Sequence, residues 1–179
     1  MEVQLKKWQP DDKTALAAIG SGVDRSFLSD RLPDPYTEAA AESWLRYVAE
    51  RDGKTGVFRA IVADGKIVGT ISVEQREDIY RKDAEIGYFL VTAQWSRGIM
   101  TEAVRQVCRI AFAELDLVRI TGLVYADNAA SRRVLEKNGF VQEGCRKNAI
   151  VKNGILHDEC VYGKQKQTEA SVYKGYKQD

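Results

Sequence analysis

Residues 83–125 form the pattern that most restricts how this chain can fold. The run 83–91 (DAEIGYFLV) is apolar on both faces apart from Glu85, as expected of a central strand. A loop containing Gly98 follows it, then a helical apolar stripe, and then a second strand over 118–125. A strand–loop–helix–strand unit of this kind predicts two neighbouring parallel strands.

The rest of the chain predicts an α/β domain with a mixed sheet. Asp64-Gly65 and Asn153-Gly154 each separate two β-rich runs, which indicates two hairpins. Thr37 is a good N-cap for a helix, and Asn128 begins another that ends at Asn138-Gly139. The predicted order is β-α-α-β-β-β-α-β-α-β-β, with one domain over 1–163 and a polar tail over 164–179.

Composition excludes several classes of protein. Lys and Arg number 27 against 26 Asp and Glu, and the signs are interspersed, so no nucleic-acid partner is expected. No apolar run is long enough to span a membrane, and the first residues lack the apolar core of a signal peptide. Cys108, Cys145 and Cys160 match no zinc pattern, so we expect no metal and reduced thiols in a cytoplasmic protein.

The start of the helix after Gly98 is a candidate anion site. The first amides of a helix have no partners within it, and they carry a partial positive charge. A phosphate there would meet the amides of residues 97–101, which are Arg97, Gly98, Ile99, Met100 and Thr101. On spacing alone an ordinary turn is the commoner explanation, and the missing Gly-Lys-Ser/Thr ending argues against a Walker-type nucleotide loop.

Three segments carry a resemblance to a known family. The stretch 95–104 (WSRGIMTEAV) resembles the acyl-CoA loop of the GNAT acetyltransferase superfamily, and more closely that of its RimJ/RimL-type branch. The stretch 128–140 (NAASRRVLEKNGF) and the hairpin residues 143–162 resemble the same branch, as does 32–37 (LPDPYT). Trp95 and Met100 depart from the superfamily pattern but occur within this branch, and Ser96 in place of glycine requires a negative φ.

The resemblance implies a fold and a cosubstrate. The fold is a three-layer α/β/α arrangement whose mixed, mostly antiparallel sheet splays between the two central parallel strands. The pantetheine arm of acetyl-CoA would lie in that gap against backbone groups of Phe89, Leu90 and Val91, with its pyrophosphate on residues 97–101. Asn128 would hydrogen-bond the arm, and an N–H near Leu90 would hold the oxyanion.

The implied reaction is direct attack of a primary amine on the thioester of acetyl-CoA. Ser131 is the candidate general acid for the leaving thiolate, and Tyr125 is a weaker alternative. Glu85 is the candidate general base, acting through water, although it could equally lie at an exposed strand end or pair with an arginine. Glu143 and His157 are weaker candidates for the base.

Several alternatives stay open at this point. The acceptor could be a protein N-terminal α-amine or a small-molecule amine, including an antibiotic or a polyamine. Tyr36, Trp44 and Tyr47 are candidates for the acceptor pocket, with a core role favoured for Trp44. A non-catalytic acyl-CoA sensor would keep the same loop, and exposed sheet edges could pair two copies into a homodimer.

Overall fold

The computed structural model describes residues 2–167, and its elements follow the predicted order. They are β1 (Val3–Lys7), α1 (Lys13–Ser21), α2 (Glu38–Arg51), β2 (Gly56–Ala63), β3 (Lys66–Gln75), β4 (Asp83–Leu90), α3 (Ile99–Glu114), β5 (Arg119–Tyr125), α4 (Ala129–Lys137), β6 (Val141–Lys152) and β7 (Ile155–Gln165). Within the described range, no helix combines the length and apolarity needed to cross a membrane.

The seven strands form one sheet in the order β1-β2-β3-β4-β5-β7-β6. Among the strand pairs of residues 2–167, only β4–β5 is parallel. Alternate strand residues face opposite sides, so Ile71 and Val73 pack with α3 in one core cluster while Phe58 and Ala60 pack with α1 and α2 in another. The predicted three-layer α/β/α fold is confirmed.

The sheet divides between β4 and β5. Their parallel pairing begins at Asp83 opposite Arg119 and ends at Ile86 opposite Gly122. Beyond this point β4 stays paired with β3 through Leu90, and β5 stays paired with β7 through Tyr125. The two strands therefore splay apart as expected. We call the resulting opening the fork.

Both predicted hairpin turns are present. Asp64 and Gly65 have φ of 49° and 75°, and Asn153 and Gly154 have φ of 51° and 75°. Positive φ at both central residues defines the type I′ turn, whose twist matches the strands that it joins. Thr37 caps α2 as predicted, because its side chain accepts a hydrogen bond from the Ala40 amide at 3.1 Å.

Two expectations about the C-terminal part need correction. Lys164 and Gln165, assigned to the polar tail, belong to β7, where Gln165 lies opposite Arg119; residues 168–179 of that tail lie outside the described range. Cys145 and Cys160, expected as reduced thiols, form a disulfide between directly opposed residues of β6 and β7. The expectation of a cytoplasmic location thereby loses one of its arguments.

Candidate active site

A cavity of about 1120 Å³ occupies the fork. Its lining includes all the leading candidates for catalysis and cosubstrate binding except Val91: Glu85, Phe89, Leu90, Arg97, Gly98, Ile99, Met100, Thr101, Asn128 and Ser131. Residues of the α1–α2 connection, such as Phe27, line it as well. The cavity therefore joins the α3/α4 face of the sheet to the α1/α2 face, and we call its α1/α2 side the acceptor chamber.

The beginning of α3 presents free amides to the cavity. The first hydrogen bond within this helix runs from the Glu102 amide to the Gly98 carbonyl at 3.1 Å, so the amides before Glu102 have no helical partner. Gly98 has a φ of 77°, a backbone conformation that suits glycine. This end of the cavity is also basic, because Arg97, Arg133 and Lys137 line it. Arg133 and Lys137 were missed in the sequence, where they look like ordinary exposed helix residues.

Ser96 departs from the expectation for this loop. Tolerance of serine was expected to depend on a negative φ, but Ser96 has a φ of 59°. The left-handed region costs an L-residue roughly 1–2 kcal/mol relative to glycine. The loop therefore holds a strained residue directly beside the proposed phosphate site.

The edge of β4 that faces the fork differs in part from the prediction. The Val91 amide donates to the Val68 carbonyl at 3.0 Å, and the Asp83 carbonyl accepts from the Arg76 amide at 2.9 Å, so odd-numbered residues of this strand pair with β3. Because backbone groups alternate in direction, those of Tyr88 and Leu90 face the fork and those of Phe89 and Val91 do not. The expectation was wrong for Val91 and for the Phe89 backbone, whereas Leu90 is placed as expected.

Trp95 has a role that its sequence position did not reveal. Its indole Nε1 donates to the Leu90 carbonyl at 2.9 Å. This bond occupies the Leu90 carbonyl. The Leu90 N–H takes no part in it and points into the fork. The side chain thus fixes the end of β4 at the point where the thioester is expected.

Ser131 is held beside the fork by two contacts. Its amide donates to Asn128 Oδ1 at 3.1 Å, which makes Asn128 the N-cap of α4. Its Oγ lies 2.8 Å from the hydroxyl of Tyr88, which projects from the opposite strand. This contact joins the two sides of the fork through a pair of hydroxyls, and Tyr88 is a site residue that sequence reasoning missed.

Tyr88 keeps its proton over a wide pH range. Burial raises the pKa of its phenol to about 12, and this effect outweighs the opposite effect of the hydrogen bond with Ser131. The phenol therefore stays neutral at physiological pH. The raised pKa also makes the stability of the fold depend on pH.

We expect the free energy of unfolding of Tyr88→Phe to fall less steeply between pH 10 and 12 than that of the unchanged protein. Above about pH 10 an unfolded tyrosine ionises while the folded Tyr88 remains protonated, so the unfolded state is favoured as the pH rises. The measurement is the urea midpoint at pH 9, 10 and 11. Tyr80→Phe, at an exposed tyrosine, is the matched control. Equal pH slopes for Tyr88→Phe and the unchanged protein would contradict the expectation.

The acceptor chamber has aromatic walls. Tyr36 and Trp44 line it as suggested from the sequence, and Trp44 also packs edge-to-face on Trp8 with ring centroids 5.5 Å apart. Tyr47 is not among the lining residues, and its hydroxyl instead donates to Glu74 at 2.7 Å. Tyr125 packs edge-to-face on Phe27, with ring centroids 5.3 Å apart, which gives it a packing contact.

The three candidate bases occupy different positions. Glu85 is half-exposed, lines the cavity on the acceptor side and pairs with Arg76 at 3.4 Å, so the arginine pairing considered from the sequence is present. Glu143 pairs with Arg119 at 2.7 Å outside the cavity lining. His157 lies 3.2 Å from Asp127 and is also outside the lining. Only Glu85 of the three therefore lines the cavity.

Charges separate across the cavity. Its basic lining residues stand at the α3/α4 end, whereas its acidic lining residues, Asp24, Glu85, Asp127 and Glu159, come from the acceptor side. Hydrogen bonds from Ser26, first of all from its side chain, lower the pKa of Asp24 and keep it ionised. No pattern in the sequence indicated this acidic set, because its members lie in four distant segments.

Lys152 fastens the α1–α2 connection over the acceptor chamber. Its side chain is only 11% exposed, and its Nζ donates to the Leu28 carbonyl at 2.9 Å and to Asp30 at 2.6 Å. Leu28 lines the chamber. The β6–β7 hairpin thus holds a wall of the acceptor chamber in place.

We expect Lys152→Met to raise the KM for the acceptor by roughly ten-fold without changing that for acetyl-CoA. The methionine keeps the apolar stem but loses both hydrogen bonds, and a charged hydrogen bond is worth about 1.5–3 kcal/mol. Initial-rate kinetics with each substrate varied in turn measure the two constants. Lys147→Met, at an exposed lysine of the same strand, is the control. An unchanged acceptor KM would show that the fastening does not shape the chamber.

Comparisons with known proteins agree with this geometry. Residues 2–141 match the family described as "Acetyltransferase (GNAT) domain". The chain is 44% identical over 140 residues to "Probable N-acetyltransferase YjcK" of Bacillus subtilis (75% of this chain, 76% of the relative). It is 34% identical over 129 residues to "Putative ribosomal N-acetyltransferase YdaF" of the same organism (72% and 68%). In fold it is similar to RimL, a ribosomal L7/L12 α-N-protein acetyltransferase solved with coenzyme A, with a TM-score of 0.80 and 23% identity over 91% of this chain and 93% of that one.

A forked sheet, free helix amides and a hydroxyl at the fork define an acyl-CoA-dependent acyltransferase. The chain belongs to the GNAT acetyltransferase family. It is an N-acetyltransferase that takes its acetyl group from acetyl-CoA. The fork, the amides before Glu102 and the basic end of the cavity fit that cosubstrate.

Proposed function

We propose that the acceptor is the N-terminal α-amine of a polypeptide. The observation that carries the proposal is the acidic acceptor side of the cavity. Glu85, Asp127 and Glu159 each pair with one basic side chain, whereas Asp24 has no ion-pair partner among residues 2–167. A protonated amine is attracted there. A free amino acid would bring its own carboxylate among these groups, whereas in a polypeptide that carboxylate has become a neutral amide. The names of YdaF and RimL, which refer to ribosomal substrates, point in the same direction.

We assign the proton transfers to residues on opposite faces of the sheet. Glu85, through water, takes a proton from the amine, whose nitrogen then attacks the thioester carbonyl. The Leu90 N–H stabilises the resulting oxyanion. When the carbon–sulfur bond breaks, Ser131 donates its hydroxyl proton to the thiolate, and the nitrogen loses its remaining extra proton to water. Ser131 regains a proton from water, while Tyr88 stays protonated and holds the Ser131 hydroxyl in place across 2.8 Å.

We also assign the binding of the cosubstrate. The pyrophosphate would accept from the amides of Gly98, Ile99 and Thr101, with Arg97 and Arg133 nearby. The Asn128 side-chain nitrogen has no hydrogen-bond partner among residues 2–167, which leaves it free to donate to a pantetheine carbonyl. The Tyr88 backbone groups, which also face the fork, would pair with the pantetheine amides.

A release assay for free thiol tests the proposal. Purified protein and acetyl-CoA are incubated with short peptides that have a free N-terminus, with the corresponding free amino acids, and with a polyamine. We expect kcat/KM for the peptides to exceed that for the free amino acids by at least about ten-fold, which corresponds to roughly 1.4 kcal/mol of discrimination. Equal or better use of free amino acids, or turnover of the polyamine alone, would overturn the proposal. Thiol release with none of the amines would favour the acyl-CoA sensor instead.

A further inference from the structure

A second cavity of about 550 Å³ adjoins the acceptor chamber on the same face of the sheet. We call it the distal recess. It is formed by the β3–β4 connection, by β5 and by the near part of the β6–β7 hairpin, and Ile79, Tyr80, Val118, Leu123 and Val161 supply its apolar surface. None of these residues has a part in the acetyl transfer described above.

The distal recess is continuous with the acceptor chamber. Leu123 lines both cavities. Two ion pairs also cross the boundary between them: Arg76 of the recess pairs with Glu85 of the chamber at 3.4 Å, and Arg146 of the recess pairs with Glu159 of the chamber. A chain that leaves the chamber past Leu123 therefore enters the recess directly.

The length of the recess corresponds to a short peptide segment. It extends from Leu123 of β5 to Val118, the residue just before β5 begins. Five residues of a strand rise about 16 Å, and an extended peptide covers the same distance with about five residues. If the first residue of an acceptor lies at the fork, its third to fifth residues lie over the recess.

The surface of the distal recess that no other group covers is apolar. Its charged groups already have partners. Arg119 contacts Glu143 at 2.7 Å and Asp83 at 3.5 Å, Lys82 contacts Asp116, and Arg76 and Arg146 pair with carboxylates of the chamber. Ile79, Tyr80 and Val118, in contrast, are 73%, 60% and 54% exposed. A ligand gains most here by covering these side chains.

We propose that the distal recess binds an apolar side chain at the third to fifth position of a polypeptide acceptor. This inference rests on the proposed function, because a small-molecule amine has no third to fifth residue whose side chain could enter the recess. The recess would therefore distinguish polypeptides that share the same first residue.

Hexapeptides with a single leucine placed in turn at positions two to six of a Ser/Gly background test the inference. For the unchanged protein we expect kcat/KM to peak with leucine at positions three to five, about ten-fold above the peptide without leucine, as burial of one leucine allows. In the double variant Ile79→Ser/Val118→Ser the peak should fall to within about two-fold of that background. Acetylation of a dipeptide amide should be unchanged, because it does not reach the recess.

Val151→Ser/Ile155→Ser is the matched control, since both residues are exposed aliphatic side chains outside the two cavities. This variant should keep the leucine peak. A flat profile for the unchanged protein, or a peak that survives in Ile79→Ser/Val118→Ser, would overturn the inference even when all peptides are acetylated. A dimer in solution that the same double variant dissociates would assign the surface to a second copy and would also overturn it. Failure of the dipeptide amide to react would instead count against the proposed function.

Discussion

Ser131→Ala is expected to lower kcat by roughly 100- to 1000-fold while the Kd for acetyl-CoA stays within about two-fold. The hydroxyl is the proposed proton donor to the leaving thiolate, and loss of a general acid typically costs this much. Binding should persist, because the Ser131 contribution to α4 is its backbone amide, which the Asn128 cap still holds in alanine. Single-turnover rates, and calorimetric titration with acetyl-CoA in the absence of an amine, separate the two quantities.

Ser43→Ala, at an exposed serine of α2, is the matched control and should leave both quantities unchanged. A kcat within about three-fold of the unchanged protein would remove Ser131 from the mechanism. A large rise in the Kd with little change in the single-turnover rate would make it a binding residue instead.

Arg59→Ala is expected to destabilise the fold by about 3–5 kcal/mol, the cost of breaking a buried ion pair. The guanidinium is 3% exposed, lies 2.6 Å from Asp52 and 3.6 Å from Glu114, and also donates to the Phe58 carbonyl at 2.7 Å. It therefore ties the end of α2 to the last turn of α3. Its removal leaves the Asp52 carboxylate without its strongest partner and opens a void in the packing.

The free energy of unfolding in urea measures this loss. Arg46→Ala breaks an exposed pair with Glu42 within α2 and should cost no more than about 0.5 kcal/mol. A loss below about 1 kcal/mol for Arg59→Ala would mean that water or a rearranged side chain replaces the arginine.

Local patterns predicted much of the fold. The Asp64-Gly65 and Asn153-Gly154 pairs fixed both hairpin turns, and Thr37 fixed the start of α2, because each depends on residues adjacent in sequence. The parallel β4–β5 pair also followed from the intervening helix. The candidate site could be anticipated where it lies on continuous motifs, as at residues 97–101 and at Asn128 and Ser131.

Features that depend on strand register could not be predicted. A regular hairpin around Asn153-Gly154 would place Cys145 opposite Tyr162 rather than Cys160. An irregularity between Arg146 and Ile150 inserts extra residues into β6 and shifts the pairing, and this shift brings the two cysteines together. The exclusion of the Val91 backbone from the fork likewise depends on which strand its amide faces.

Features that combine distant segments were also missed. Tyr88 and Ser131 are 43 residues apart, and neither spacing nor periodicity relates them. Ser96 was expected to have a negative φ, but its φ is positive. A residue type alone does not determine the backbone conformation at its position.

The cavity passes through the whole thickness of the sheet, and this affects the order in which substrates bind and products leave. In the arrangement that we propose, cosubstrate and amine would approach the reacting carbon from opposite faces, so neither would block the route of the other. Both can be present in a ternary complex, no acetylated enzyme has to accumulate, and double-reciprocal rate plots should intersect rather than run parallel. Free coenzyme A can then depart from one side while the acetylated chain is still seated on the other.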